Sequence, residues 1–226
     1  MAVLLSLETS TTVCSAALHE NGKIQASIEL HIAQSASSKL AVIINDLFDL
    51  CDMEANQLEG VAISSGPGSF TGLRIGVATA KGLCYALGVP LISVNTLELM
   101  VHQVREFNFD NTLLCPMLDA RRTEVYCMLM DASLTVLEST EAKIIDGQSF
   151  GSWLDQRVIS FFGNGSAKCK DIIHHPNARF IEGIIPSAAK LGELAFQKFE
   201  LKQFEDLYAF EPFYLKDFMI RKPKSI

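Results

Sequence analysis

Residues 60–88, GVAISSGPGSFTGLRIGVATAKGLCYALG, constrain this chain more than any other stretch. A short apolar run, GVAISS, reads as a buried strand. A turn rich in glycine and hydroxyls follows, and then a helical pattern from about Phe70 to Leu87, with Ser69 as N-cap and Gly88 and Pro90 as the stop. Gly72, Gly76, Ala80 and Cys84 recur every four residues and make a narrow small-residue face. A glycine inside a helix costs about 1 kcal/mol relative to alanine, so close approach of another backbone is the natural compensation. The other sides carry Leu73, Ile75, Val77, Ala78, Leu83, Ala86 and Leu87, and only Arg74, Lys81 and Tyr85 share a polar stripe. A helix apolar nearly all round must be buried nearly all round. It therefore lies between a sheet and a further layer. That layer is either the rest of the chain or a second polypeptide, and the second is the preferred reading.

The flanking patterns supply the sheet. AVLLSLETSTTVCSAALHENGKIQASIEL reads as three strands with turns at Glu8–Thr12 and at Asn21–Gly22. Leu40, Ile43, Ile44, Leu47, Phe48 and Cys51 then line one face of a helix. PLISVNT is another strand, and LLCPMLDARRTEVYCMLMDASLTVLESTEAKI starts the order again, with Asp119 standing after its first strand as Glu8 does in the first half. A short helix near Ser149–Leu154, the strand and turn VISFFGNGSA, and a helix beginning at Ser187 complete the chain. Two similar α/β halves are expected.

The glycine loop is a poor phosphate cradle. The triphosphate loop needs G-x-x-x-x-G-K-[ST], but Gly72 is followed by Leu73 and Arg74; G-x-G-x-x-G fails because Thr71 stands at the third glycine. The net charge of −7 and pI near 5.2 argue against a principal nucleic-acid gripping surface. The one basic cluster is the tail LKDFMIRKPKS, read as a solvated end. Six scattered cysteines without a C-x-x-C pair read as reduced thiols. The opening MAVLLSLETSTT has no basic segment or cleavage site, so no signal peptide is read there and a cytoplasmic location is expected. The mean hydropathy of +0.23 hints at a buried subunit surface.

The strings LETST, SGPGSFTGLRIG, DARRTEVY, GNG, IPSAAKLGELA and EPFYLK occur in that order across nearly the whole chain. Together they resemble the TsaB (YeaZ) family of tRNA threonylcarbamoyladenosine biosynthesis proteins. One departure is Ala36, where members often carry histidine. The resemblance implies an actin-like ATPase, sugar-kinase and Hsp70-type fold of two related lobes, each a mixed sheet flanked by helices. The expected division puts residues 1–102 and 205–226 in a first lobe carrying the dimerisation helices, and 103–204 in the second.

The resemblance further implies a non-catalytic subunit that pairs with TsaD and acts with TsaE. That assembly transfers threonylcarbamoyl to N6 of adenosine 37 in tRNAs reading A-starting codons. The isolated protein is expected to be a homodimer, to meet tRNA only through the complex, and to carry no cofactor of its own; a nucleotide at the joint with TsaD is left open. The expected partner surface comprises Leu40, Ile44, Leu47, Phe70, Gly72, Leu73, Gly76, Val77, Ala80 and Leu83. No catalytic, cofactor-binding or metal residue is expected. Where TsaD carries metal-binding histidines spaced H-x-x-x-H, this chain has Thr96 and Met100, which are poor ligands, and His102 is offset. A metallopeptidase is thereby disfavoured. The alternative is an ATPase or small-molecule kinase of the same fold, using Glu8 and Asp119.

Overall fold

A computed structural model describes residues 2–32, 36–108 and 110–215, so the basic tail from residue 216 lies outside the described residues. Strands β1 (Val3–Glu8), β2 (Cys14–Glu20) and β3 (Lys23–Leu30) form an antiparallel meander. Helix α1 (Ala36–Leu50) leads to β4 (Gly60–Gly66), helix α2 (Phe70–Leu87) to β5 (Leu91–Asn95), and helix α3 (Thr96–Arg105) follows. β4 pairs parallel with β1 and β5 parallel with β4, giving the order β3-β2-β1-β4-β5. The second half repeats it. β6 (Leu113–Asp119), β7 (Glu124–Met130) and β8 (Val136–Ile144) are antiparallel. After the short α4 (Gly151–Leu154), β9 (Ile159–Phe162) and β10 (Ala178–Ile181) add in parallel. The order β10-β9-β6-β7-β8 mirrors the first sheet strand for strand. Glu8 and Asp119 are the last residues of equivalent strands, as the sequence repeat implied.

The central strands explain their own composition. β1 is buried at every position, so VLLSLE is a nearly continuous apolar run and not an alternation. Odd-numbered residues Leu5 and Leu7 pack under α1 and α2 with Leu40, Leu47 and Val77. On the other face, Leu4 meets Leu191 and Leu194 of α5 (Ala188–Glu200). The edge strands β3 and β8 carry charge and exposed positions, which blunts them against further pairing.

α3 is the element that the sequence patterns did not reveal. Leu97, Met100, Val101 and Val104 pack with Leu114, Leu118 and Phe162 of the second sheet, while Leu99 joins the core of the first. Leu97, Met100, Val101 and Val104 recur at helical spacing on one side of α3, and Leu99 adds a second buried side. The expected lobe boundary at residue 102 falls inside this helix. Residues 103–204 also include α5, whose packing places it on the first sheet. The halves are therefore tied together by α3, which packs on both sheets, and by the chain's return to the first sheet in α5.

Candidate partner interface and the two acidic strand ends

The glycine loop turns a corner against the chain's own β1–β2 turn. Ser69 N donates to Ser10 O at 2.6 Å, and the Ser69 side chain caps α2 by accepting from Gly72 N at 3.3 Å. Thr9 Oγ1 donates to Gly72 O at 2.8 Å. A Cβ on Gly72 would strike Thr9 O, and one on Gly76 would meet Thr9 Oγ1 and come within 2.9 Å of Ile63 Cδ1. The small-residue face is thus turned inward, and the second backbone it admits is the LETST turn of the same chain.

This corrects the expected partner surface. Leu40, Ile44, Leu47, Gly72, Leu73, Gly76, Val77 and Ala80 are all buried in the chain's own core. Phe70 and Leu83 remain half-buried. The small-residue face is filled by Thr9 and by Ile63 of β4, so a second polypeptide has only the outer side of α2 left to cover. What α2 presents outward is Thr71, Arg74, Ala78, Gly82 and Tyr85, with Gly82 having no neighbour within 4 Å of a built Cβ. On α1 the outward apolar residues are Val42 and Leu50.

One flank of this face is covered by residues 206–214, an element that sequence reasoning missed. Lys81 Nζ donates to Tyr208 O at 3.2 Å and Phe210 O at 3.0 Å, while Leu207 and Phe210 pack onto the core. Phe213 N donates to Ser65 O at 2.7 Å. Arg74 sits 4.0 Å from the Phe70 ring centroid and donates to Tyr214 Oη at 3.3 Å. The polar stripe of α2 therefore anchors a C-terminal strap. Between strap and helix lies a groove of about 310 Å³ lined by Lys81, Gly82, Tyr85, Leu207 and Tyr208. A larger cavity, about 490 Å³, lies away from it beside Phe107 and Ile184.

The two acidic strand ends differ in kind. Glu8 is fully buried; its Oε1 accepts from Ser10 N at 2.6 Å, and Oε2 has no hydrogen-bond partner. Burial raises its pKa, against the opposing influence of the Ser10 and Ser64 hydroxyls. Asp119 is half-exposed and bonded to Lys168 Nζ at 2.5 Å and to Arg121 N at 2.8 Å. Partial burial opposes the shift, yet the Lys168 bond, the Arg121 N–H and both cationic charges hold the Asp119 carboxyl below its ordinary range. The kinase alternative needs both carboxylates free to hold a metal–phosphate group. One is buried in the first sheet, and the other is already paired in the second.

Thr96 and Met100 sit in the first turns of α3, both with no exposed surface. Met100 packs among Leu97, Leu118 and Phe162, and a Cβ on Gly163 would strike its methyl group. His19 is spent in packing, with Nε2 2.8 Å from Ala189 O. His175 Nδ1 accepts from Asn177 N at 3.1 Å. Among the described residues no three His, Cys, Asp or Glu side chains are grouped to hold a metal ion, and none of the six cysteines is in a disulfide. No helix among the described residues is long and apolar enough to cross a membrane.

The profile of the family described as "TsaD: tRNA N6-adenosine threonylcarbamoyltransferase" matches residues 31–218. The chain belongs to this TsaD family. It is 29% identical over 224 residues to the tRNA threonylcarbamoyladenosine biosynthesis protein TsaB of Bacillus subtilis, spanning 94% of this chain and 93% of that one. YeaZ from Pseudomonas aeruginosa superposes with a TM-score of 0.82 at 25% identity, covering 95% of this chain and 100% of that one. The activator of 2-hydroxyisocaproyl-CoA dehydratase from Clostridium difficile, solved with bound ADPNP, shares the fold at TM-score 0.51 and 10% identity, over 91% of this chain and 98% of that one. Within the TsaD family, then, the chain resembles TsaB and YeaZ over nearly its full length, on the two-lobed fold of the actin-like ATPases.

Proposed function

We propose that this chain is the non-catalytic pairing subunit of the assembly that transfers threonylcarbamoyl to N6 of adenosine 37 in tRNAs reading A-starting codons. It pairs with TsaD and works with TsaE, in the cytoplasm. The observation that carries this reading is the fate of residues 96 and 100. Where the resemblance puts the transferase histidines, this chain builds a threonine and a methionine into the core. The outward face of α2 supports the pairing role. Ala78 and Gly82 keep its ridge low, and Tyr85 stands at its end with 73% of its surface exposed. Such a face lets another helix approach closely, with the aromatic ring as an anchor. The same face pairs two copies when the protein is alone.

The test is reconstitution. TsaD, TsaE and the adenylate-forming enzyme are incubated with unmodified tRNA, with and without this chain, and the modified nucleoside is counted. Modification should require the chain, and the chain alone should neither hydrolyse ATP nor cleave peptides. Equal modification in its absence sinks the reading.

A further inference from the structure

Two of the strings that carry the family resemblance, DARRTEVY and GNG, meet at the β6–β7 turn, and the pairing role uses neither. Arg121 and Arg122 both have positive φ, 74° and 50°. Two successive non-glycine residues in the left-handed region are uncommon and strained, where asparagine or glycine would sit more easily. The surroundings hold this conformation firmly. Asp119 Oδ1 accepts from Arg121 N at 2.8 Å, and Asn164 Oδ1 accepts from Asp119 N at 2.9 Å. Lys168 Nζ donates to Arg122 O at 2.9 Å and, at 2.5 Å, to both Glu124 O and Asp119 Oδ1. Ile145 N donates to Thr123 O at 3.0 Å, and Glu124 N to Arg121 O at 3.1 Å. Gly165 lies against Leu118, where a Cβ would come within 2.7 Å of the carbonyl carbon, so the GNG loop sits close enough for Asn164 to reach.

Every carbonyl from Arg121 to Glu124 is therefore satisfied, and the cationic donors that the turn presents to solvent are its two guanidinium groups. Both arginines are exposed, and neither has an acidic side-chain partner among the described residues. Four other cations are occupied: Lys143 by Glu138, Lys170 by Glu182, Arg179 by Asp110 and Lys190 by Glu106. Asp119, by contrast, is neutralised by Lys168. Three cations and two carboxylates leave the tip net positive on a chain of net charge −7.

We infer that the Arg121–Arg122 turn is a contact site for the RNA phosphate backbone. Guanidinium forks match phosphate oxygens in a bidentate geometry, and a turn already held by its neighbours presents them without further backbone ordering. Such contacts position a nucleic acid without reading its sequence. An acidic protein partner fits less well, because residues 119–124 contain no large apolar side chain to build the core of a protein interface. The site deepens the tRNA role proposed above and rests on it for the identity of the RNA.

The test is fluorescence anisotropy of the chain assembled with TsaD and TsaE, with an unmodified tRNA transcript, across a potassium chloride series. The Arg121→Gln/Arg122→Gln variant keeps the strained backbone and should bind several-fold more weakly. Its slope of log K against log salt should flatten by about 1.4, at roughly 0.7 for each phosphate that is no longer neutralised. Arg121→Lys/Arg122→Lys should keep the wild-type slope, and thermal unfolding checks that both variants fold. Equal slopes for the wild type and the glutamine pair overturn the inference, as does a wild type without salt-dependent binding. Weakened association with TsaD at unchanged tRNA binding also overturns it and reassigns the turn to a protein contact. A slope difference that persists although modification proceeds without the chain would leave the phosphate contact standing and remove the pairing role.

Discussion

Gly76 shows how much rests on one missing side chain. Its position is filled by Thr9 and Ile63 of the same chain, so a larger residue forces α2 away from β1 and β4. Gly76→Leu should cost roughly 1–3 kcal/mol or more of folding stability. Urea unfolding should show a lower midpoint. An unchanged midpoint with weakened association would return this face to the interface. Glu8 gives a pH-dependent counterpart. An acid whose folded pKa is raised by burial contributes stability fully present below its unfolded value, and loses it as pH rises through the folded one. Glu8→Gln keeps the acceptor for Ser10 N and has no proton to lose, so its stability should decline less than the wild type's above pH 4.5. Parallel stability–pH curves for the two proteins would contradict this.

At the scale of elements, α2 is held from two directions, and the strap is the less obvious one. Lys81 joins them, because its ammonium donates to two strap carbonyls. Lys81→Met keeps the aliphatic stem and removes both bonds, which are worth about 1–2 kcal/mol together at the net value of a hydrogen bond. Hydrogen exchange should quicken for residues 207–214 and stay slow in β1 and β4. Uniform protection in the variant would show that Leu207 and Phe210 hold the strap without it. The second half offers a contrast: between β9 and β10 only a single turn at Ala167–Cys169 stands where α2 stands in the first. The outward helix face that suits pairing thus exists on one lobe alone.

The whole molecule separates folding from association at Gly82. Nothing lies within 4 Å of a Cβ built there, so a side chain meets open space. Gly82→Arg should preserve or raise the unfolding temperature, since any ordinary residue improves on glycine in a helix by a few tenths to about 1 kcal/mol. On the proposed pairing face it should also block close helix approach. Light scattering at micromolar concentration should then report monomer for the variant and dimer for the wild type. A variant that stays dimeric would move the pairing face elsewhere.

Residues 70–87 were legible as a helix with both ends, and α1, the first hairpin and the doubled strand order were legible too. Each of these signals is local, a matter of periodicity, caps and turn residues within one segment. The repeat at Glu8 and Asp119 was readable for the same reason. Which apolar side of α2 faces inward was not, because helical periodicity describes a surface without saying what covers it. Only tertiary packing settled that the LETST turn takes the glycine face and a strap more than a hundred residues away takes the polar stripe. α3 carries a helical stripe at Leu97, Met100, Val101 and Val104, but it follows β5 directly at Asn95, with no turn residue to separate helix from strand. The Arg121–Arg122 turn was visible as a motif, but its strain, and the lysine from another loop that holds it, exist only in the folded chain. The sequence by itself determined most of the elements and the doubled order of the strands. The folded structure decided which faces were already spent on the core and which remained free to meet another molecule.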